Sequence, residues 1–150
     1  MESGSLLVIG AGGLGCRWAR GAHSRVSSES DLMLVDADME SFKGASYAHC
    51  MHLDPTGTEK GIAALPALAA HRTISALDEI DQVLTNAELV VILTGLGGGT
   101  GTGSTIELAR ASRQRGAIVV VVAGLPFAEQ SFRSRICLLY TSDAADDPAS

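Results

Sequence analysis

The stretch AELVVILTGLGGGTGTGST, Ala87–Thr105, runs from an apolar segment straight into six glycines within nine positions, Gly95 to Gly103. Glycine loses more backbone freedom on folding than any other residue, so such a density needs a cause. Two causes are physically open: backbone angles with positive φ, or a ligand lying so close to the main chain that side chains would collide with it. What precedes the glycines reads as a buried strand, and Ser104 with Glu107 resembles a capping box opening a helix that Gly116 would end. Strand, glycine turn and helix together form one βα unit.

The same unit recurs along the chain. SLLVIG, DLMLVD and GAIVVVVAG are nearly continuous in β-branched residues and leucine, as strands buried on both faces are. Between them, GCRWARGAH puts Leu14, Trp18 and Ala22 on one helical face, and SALDEIDQVL puts Leu77, Ile80 and Leu84 on another. Ser75 with Asp78 forms a second candidate capping box. YAHCMHL suits a short edge strand, and residues 54–74, with Pro55, Gly57, Gly61 and Pro66, read as loop containing a helical turn. The expected fold is therefore α/β: a doubly wound, Rossmann-like, mostly parallel sheet.

In such sheets ligands bind beyond the carboxyl ends of the strands. Both glycine-rich segments sit there. Gly10-Ala11-Gly12-Gly13-Leu14-Gly15 matches G-x-G-x-x-G between strand and helix, and Asp36 ends the next strand 21 residues after Gly15. Alone, that pattern fits a dinucleotide site. A second, richer loop on another strand suggests a longer phosphate chain, held by an anion nest of N–H groups at Gly97, Gly98, Gly99, Gly101 and Gly103 and by the hydroxyls of Thr100 and Thr102. No lysine follows these glycines, so the Walker pattern is not met. Neutralisation falls to N–H dipoles and a divalent cation, Mg²⁺ being expected.

At this point a resemblance becomes specific. GGGTGTGS is similar to the signature loop of the tubulin/FtsZ family of GTPases, VIGAGGLGCR resembles that family's first phosphate loop, and LMLVDAD resembles its second strand and following loop. The likeness runs from about Leu6 to Arg133. It implies GTP or GDP as ligand, with Gly10 and Gly12 in the nucleotide-binding set and Gly13, Leu14, Gly15, Cys16 and Arg17 along the α and β phosphates. Gly101, Thr102 and Gly103 fall around the β and γ phosphates. LPFAEQSFR resembles the loop in which a glutamate, here Glu129, contacts ribose and an arginine, here Arg133, follows. The resemblance also implies head-to-tail self-association into a cytoskeletal filament, in cell division or cell-shape control. No catalytic residue is assigned to this chain, because the family's acidic catalytic loop and base-stacking helix are expected beyond its end.

Departures mark a divergent member, with an archaeal rather than a standard bacterial cast. Arg17 stands where the bacterial division proteins usually carry asparagine, and DPTGTEKG replaces the Gly-Ala-Gly-Ala-Asn-Pro text of another phosphate loop. Two rivals stay open. VIGAGGLGC with LVDADM also resembles the ATP site of E1-type (ThiF-like) adenylating proteins, and the first glycine motif alone suits an NAD-dependent oxidoreductase. Neither accounts for Gly97 to Gly103.

Composition narrows the classes. A hydrophobic share of 46% with mean hydropathy +0.23 argues for a globular chain. The apolar run AIVVVVAGL is far short of the roughly 20 residues of a membrane helix, so a cytoplasmic protein without a membrane span is expected. Three widely spaced cysteines suggest reduced thiols, and His49, Cys50 and His52 do not all share one strand face, so no metal site is assigned. A formal charge of −6 provides no basic footprint for nucleic acid. From Cys137 the composition changes. CLLYTSDAADD, residues 137–147, resembles translated sequencing adaptor, so residues 1–136 are expected to form an incomplete nucleotide-binding domain and residues 137–150 a non-native tail.

Overall fold

The computed structural model of the chain describes residues 5–57 and 65–125. Glu129, Arg133 and the expected tail lie outside the described residues. Strand β1 (Ser5–Ala11) leads into helix α1 (Gly12–Val26), β2 (Ser30–Asp36), a 3₁₀ turn (Met39–Phe42) and β3 (His49–His52). Helices α2 (Pro66–Ser75) and α3 (Leu77–Leu84) precede β4 (Ala87–Gly95), α4 (Gly99–Gln114) and β5 (Ile118–Gly124). All five strands pair in parallel in the order β3-β2-β1-β4-β5.

Chain direction across the sheet reverses at β1. The β1-α1-β2 crossover steps one way and β4-α4-β5 the other, and because parallel crossovers are right-handed, α1 and α4 lie on opposite faces. Period-two alternation then supplies two cores. Leu7, Ile9, Met33, Val35, Val90 and Ile92 pack with Ile80, Leu84 and Leu108 of α3 and α4. Val8, Leu32, Leu34 and Leu93 pack with Cys16 and Ala19 of α1. In the central register Ile9 stands beside both Met33 and Ile92, all three fully buried.

Four local expectations change. Helix α4 begins at Gly99, five residues before the expected cap at Ser104, and Ser104 lies inside it with its hydroxyl donating to the Thr100 carbonyl at 2.5 Å. Glycine and threonine are poor helix formers, but packing against β1, β4 and α2 outweighs propensity here. Ser75 does not cap α3. Its hydroxyl donates to the His71 carbonyl at 3.0 Å, closing α2, and Ala76 is the cap residue between the two helices. Residues 66–75, expected as loop with a turn, form a ten-residue helix with Pro66 at its first position, a favoured place for proline.

The fourth change concerns α1. Its buried residues are Gly12, Gly15, Cys16, Ala19 and His23, while Leu14 and Trp18 of the expected face keep 42% and 39% of their surface exposed. The reason is close approach: a Cβ on Gly15 would stand 2.2 Å from the Leu93 carbonyl oxygen, so only a small-residue face fits against the sheet. Gly116, with φ +86, ends α4 as expected.

Candidate functional site

The carboxyl ends of β1 and β4 are neighbours, with Ala11 opposite Thr94. Strand β1 runs directly into α1 and β4 reaches α4 through a turn at residues 96–98, so the N-termini of α1 and α4 converge at the place where strand order reverses. The two glycine turns touch. Gly12 has φ +76, and a Cβ there would lie 2.9 Å from the Gly101 nitrogen. Gly101 is held as closely, with its Cβ position 2.5 Å from the Gly95 carbonyl oxygen. On the far side of α4, a Cβ on Gly103 would meet the Pro66 carbonyl at 2.0 Å.

Hydroxyl groups tie the turns together. The Thr94 hydroxyl lies 3.3 Å from the Ala11 carbonyl and 3.1 Å from that of Gly101, sharing its proton between both turns. The Gly97 N–H donates to Thr102 Oγ1 at 2.9 Å. Leu96 N–H donates to the Gly124 carbonyl at 2.8 Å, anchoring the loop to the end of β5. Thr102 therefore braces its own loop. Among the described residues, Thr100 is the buried side chain whose hydroxyl has no hydrogen-bond partner.

Neither helix end is closed by its own side chains. Ala11 and Gly98 are the cap residues, neither makes a side-chain capping bond, and no acid occupies the first turn of α1 or α4. By contrast, α3 carries Asp78 and Glu79 in its first turn. The first N–H groups of a helix have no intrahelical acceptor and carry the positive end of the helix dipole. Two such ends side by side favour an anion with several oxygens.

The individual expected residues divide. Gly10 lies at the end of β1, the run from Gly12 to Arg17 in the first turns of α1, Gly97 and Gly98 in the β4-α4 turn, and Gly99, Thr100, Gly101, Thr102 and Gly103 in the first turns of α4. Gly13 is exposed, and a Cβ there would have nothing nearer than Asp36 Oδ2 at 3.9 Å. Arg17 is exposed, whereas the Cys16 side chain faces the core. Its thiol approaches the carbonyls of Gly10 and Val35 at 3.5 and 3.7 Å, and burial, with the nearby Asp36 charge, pushes it up to about 12.

Asp36 is engaged within its own loop. Its carboxylate accepts the Ala37 N–H at 2.8 Å and the Ser41 hydroxyl, and Asp38 caps the 3₁₀ turn by accepting the Glu40 N–H at 3.0 Å. Thr94 and Gly95 were absent from the expected set. Their signal was position, at the last residues of β4 before the glycines.

The family model described as Tubulin/FtsZ family, GTPase domain, matches residues 5–146. The cell division protein FtsZ of Haloferax mediterranei is 28% identical over 125 residues, covering 82% of this chain and 33% of that protein. FtsZ of Pseudomonas aeruginosa is also 28% identical, over 128 residues, covering 84% and 32%. This chain thus spans about a third of the length of the curated relatives it matches. Among solved structures, the empty FtsZ dimer of M. jannaschii superposes with a TM-score of 0.69 at 26% identity, covering 83% of this chain and 36% of that one. CetZ2 of Haloferax volcanii, a GTPγS-bound protofilament, gives 0.76 at 21% identity over 95% and 46%, a likeness of fold.

Proposed function

Because this chain belongs to the tubulin/FtsZ family, whose GTPase-domain model matches residues 5–146, we propose that its paired glycine turns bind the phosphates of GTP or GDP. The observation that carries this reading is the convergence of two helix N-termini without side-chain caps or first-turn acids at the β1/β4 switch point. N–H groups of Gly12, Gly13 and Leu14 on one side, and of Gly99 and Thr100 on the other, would receive the phosphate oxygens. With no lysine in either turn, dipoles and hydrogen bonds do the work a cation does elsewhere. Mg²⁺ would be held chiefly by those phosphates, since among the described residues no group of three or more His, Cys, Asp or Glu is placed to hold a metal ion. Glu129 and Arg133 are proposed to extend the site to the ribose.

The full-length protein is proposed to be a filament-forming GTPase of cell division or cell shape. Head-to-tail association is a heterologous contact, which propagates as an open filament. It is in keeping with the CetZ2 protofilament. Hydrolysis would then be completed at the subunit interface rather than within this domain. Cytoplasmic location agrees with this reading, and among the described residues no helix is long and apolar enough to cross a membrane.

Competition decides the ligand class. GTP should displace a fluorescent guanine nucleotide from the chain, while ATP and NAD at the same concentration leave it bound. Displacement by ATP or NAD at equal potency would overturn the guanine reading in favour of an adenylating or oxidoreductase site.

A further inference from the structure

Two anion-binding turns can act on one ligand only if their separation is fixed. Helix α1 packs on one face of the sheet and α4 on the other, so their N-termini belong to different layers of the molecule. The end of β4 joins them. Thr94 stands opposite Ala11 in the parallel register, and its side chain is fully buried. From there the hydroxyl lies 3.3 Å from the carbonyl of Ala11, the cap residue of α1, and 3.1 Å from the carbonyl of Gly101 in the first turn of α4. A missing side chain makes room for it: a Cβ on Gly101 would stand 2.9 Å from Thr94 Oγ1.

The other hydroxyls of the glycine loop work within one segment. Thr102 Oγ1 accepts the Gly97 N–H, while Ser104 and Thr105 donate to the carbonyls of Thr100 and Gly101, four residues earlier in their own helix. Among the described residues, the Thr94 hydroxyl is the one that bonds to both turns. Successive phosphates are linked through one shared oxygen, so a polyphosphate presents its oxygens at nearly fixed spacing. An N–H···O bond is well formed only over about 2.7–3.2 Å, and a shift of α4 against α1 by more than about 0.5 Å takes the donors of one turn out of reach while those of the other stay in place.

We propose that Thr94 is a positioning residue for polyphosphate: its hydroxyl clamps the two glycine turns at one separation, so that a chain of two or three phosphates is held by both at once. The inference rests on the nucleotide-binding reading above and adds to it the contact that makes the two turns act together. A lone α phosphate falls to the α1 turn and gains nothing from the clamp.

The test compares GTP with GMP, whose one phosphate reaches one turn. Each is used to displace a fluorescent guanine nucleotide from the parent chain, from Thr94→Val and from Thr94→Ser. Valine keeps the shape of threonine without the hydroxyl, and serine keeps the hydroxyl. Thr94→Val should weaken GTP binding roughly 5-fold or more, the lower end of coupling between sites, and leave GMP within about twofold. Thr94→Ser should bind both as the parent does. Should Thr94→Val not fold, as read by circular dichroism, Thr94→Ala removes the same hydroxyl and carries the same expectation. Equal weakening of GTP and GMP would mark a purely structural role, and unchanged GTP binding without the hydroxyl would mean that the turns keep their spacing unaided. Either result, or a Thr94→Ser protein that behaves like Thr94→Val, overturns the clamp and leaves the nucleotide reading standing. A parent chain that holds neither nucleotide, or holds GMP as tightly as GTP, would overturn the two-turn phosphate reading, and the clamp with it.

Discussion

Two glycines of α1, Gly13 and Gly15, should respond to the same substitution in opposite ways, and the structure sets both magnitudes. Gly13 is exposed, is not among the positive-φ glycines, and its Cβ position has no neighbour within 3.9 Å. Gly13→Ala therefore fits a helical position, where the exchange stabilises by about 0.4–1 kcal/mol. For a domain of this size that raises the melting midpoint by roughly 1–5 °C. The new methyl would nonetheless stand at the first turn, where the phosphate is proposed to accept N–H bonds. Loss of one hydrogen bond to a charged group is worth about 1.5–3 kcal/mol, or about 10- to 150-fold in affinity. Gly15→Ala brings its methyl within 2.2 Å of the Leu93 carbonyl and must push α1 off β4. Overpacking of that kind costs about 1–3 kcal/mol or more, and it lowers the midpoint and binding together. Thermal melts by circular dichroism with dialysis against GTP separate the two cases. A stabilised Gly13→Ala protein that binds GTP as tightly as the parent would refute phosphate approach at α1.

Other consequences follow from single contacts. Thr102→Ala removes the acceptor of the buried Gly97 N–H and should destabilise by about 1–3 kcal/mol, whereas Thr102→Ser keeps the bond and most of the stability; equal melting curves for the two variants would contradict the bracing role. Cys16 should resist thiol reagents in the native protein while Cys50 reacts, and become accessible in guanidinium; native-state labelling of Cys16 at the rate of Cys50 would count against its burial. Because the fold raises the Cys16 thiol from about 9 to about 12, its contribution to stability is fully present below pH 9 and is lost as pH rises from 9 towards 12, by up to about 1.4 kcal/mol per pH unit. Urea midpoints measured across that interval in parent and Cys16→Ala proteins should converge as pH rises. Strand β5 exposes Ile118, Val120 and Val122 and carries no charge along its outer edge, so Val120→Lys with Val122→Lys should lower concentration-dependent light scattering with little loss of stability. Unchanged scattering would remove β5 as the associating edge.

The alternation of strands and helices was legible from the sequence because a parallel strand is buried on both faces and so reads as a nearly unbroken apolar run. Each of the four such runs forms a strand, and YAHCMHL supplies the edge strand β3. Helix ends were harder. Ser104 and Ser75 both carry the local signature of a cap, yet one sits inside α4 and the other closes α2, because a hydroxyl can bond back to the carbonyl four residues earlier as readily as it can cap. Pro66 was a usable signal for the start of α2, being well suited to a first helical position. The face of α1 was misread for a different reason. Amphipathic spacing favours large residues for burial, but this helix lies so close to β1 and β4 that only Gly15, Cys16 and Ala19 fit.

The sequence by itself determined that two glycine-rich segments follow two parallel strands, and the parallel pairing of β1 with β4, each followed by a helix, bears that out. Only the tertiary structure decided what the glycines are for. Gly12, Gly15, Gly101 and Gly103 are required first by the approach of one segment of the chain to another, while Gly13 is left open to a ligand. Whether a Cβ has room depends on atoms brought near by folding from distant parts of the chain. Neither the count of glycines nor their spacing carries that information.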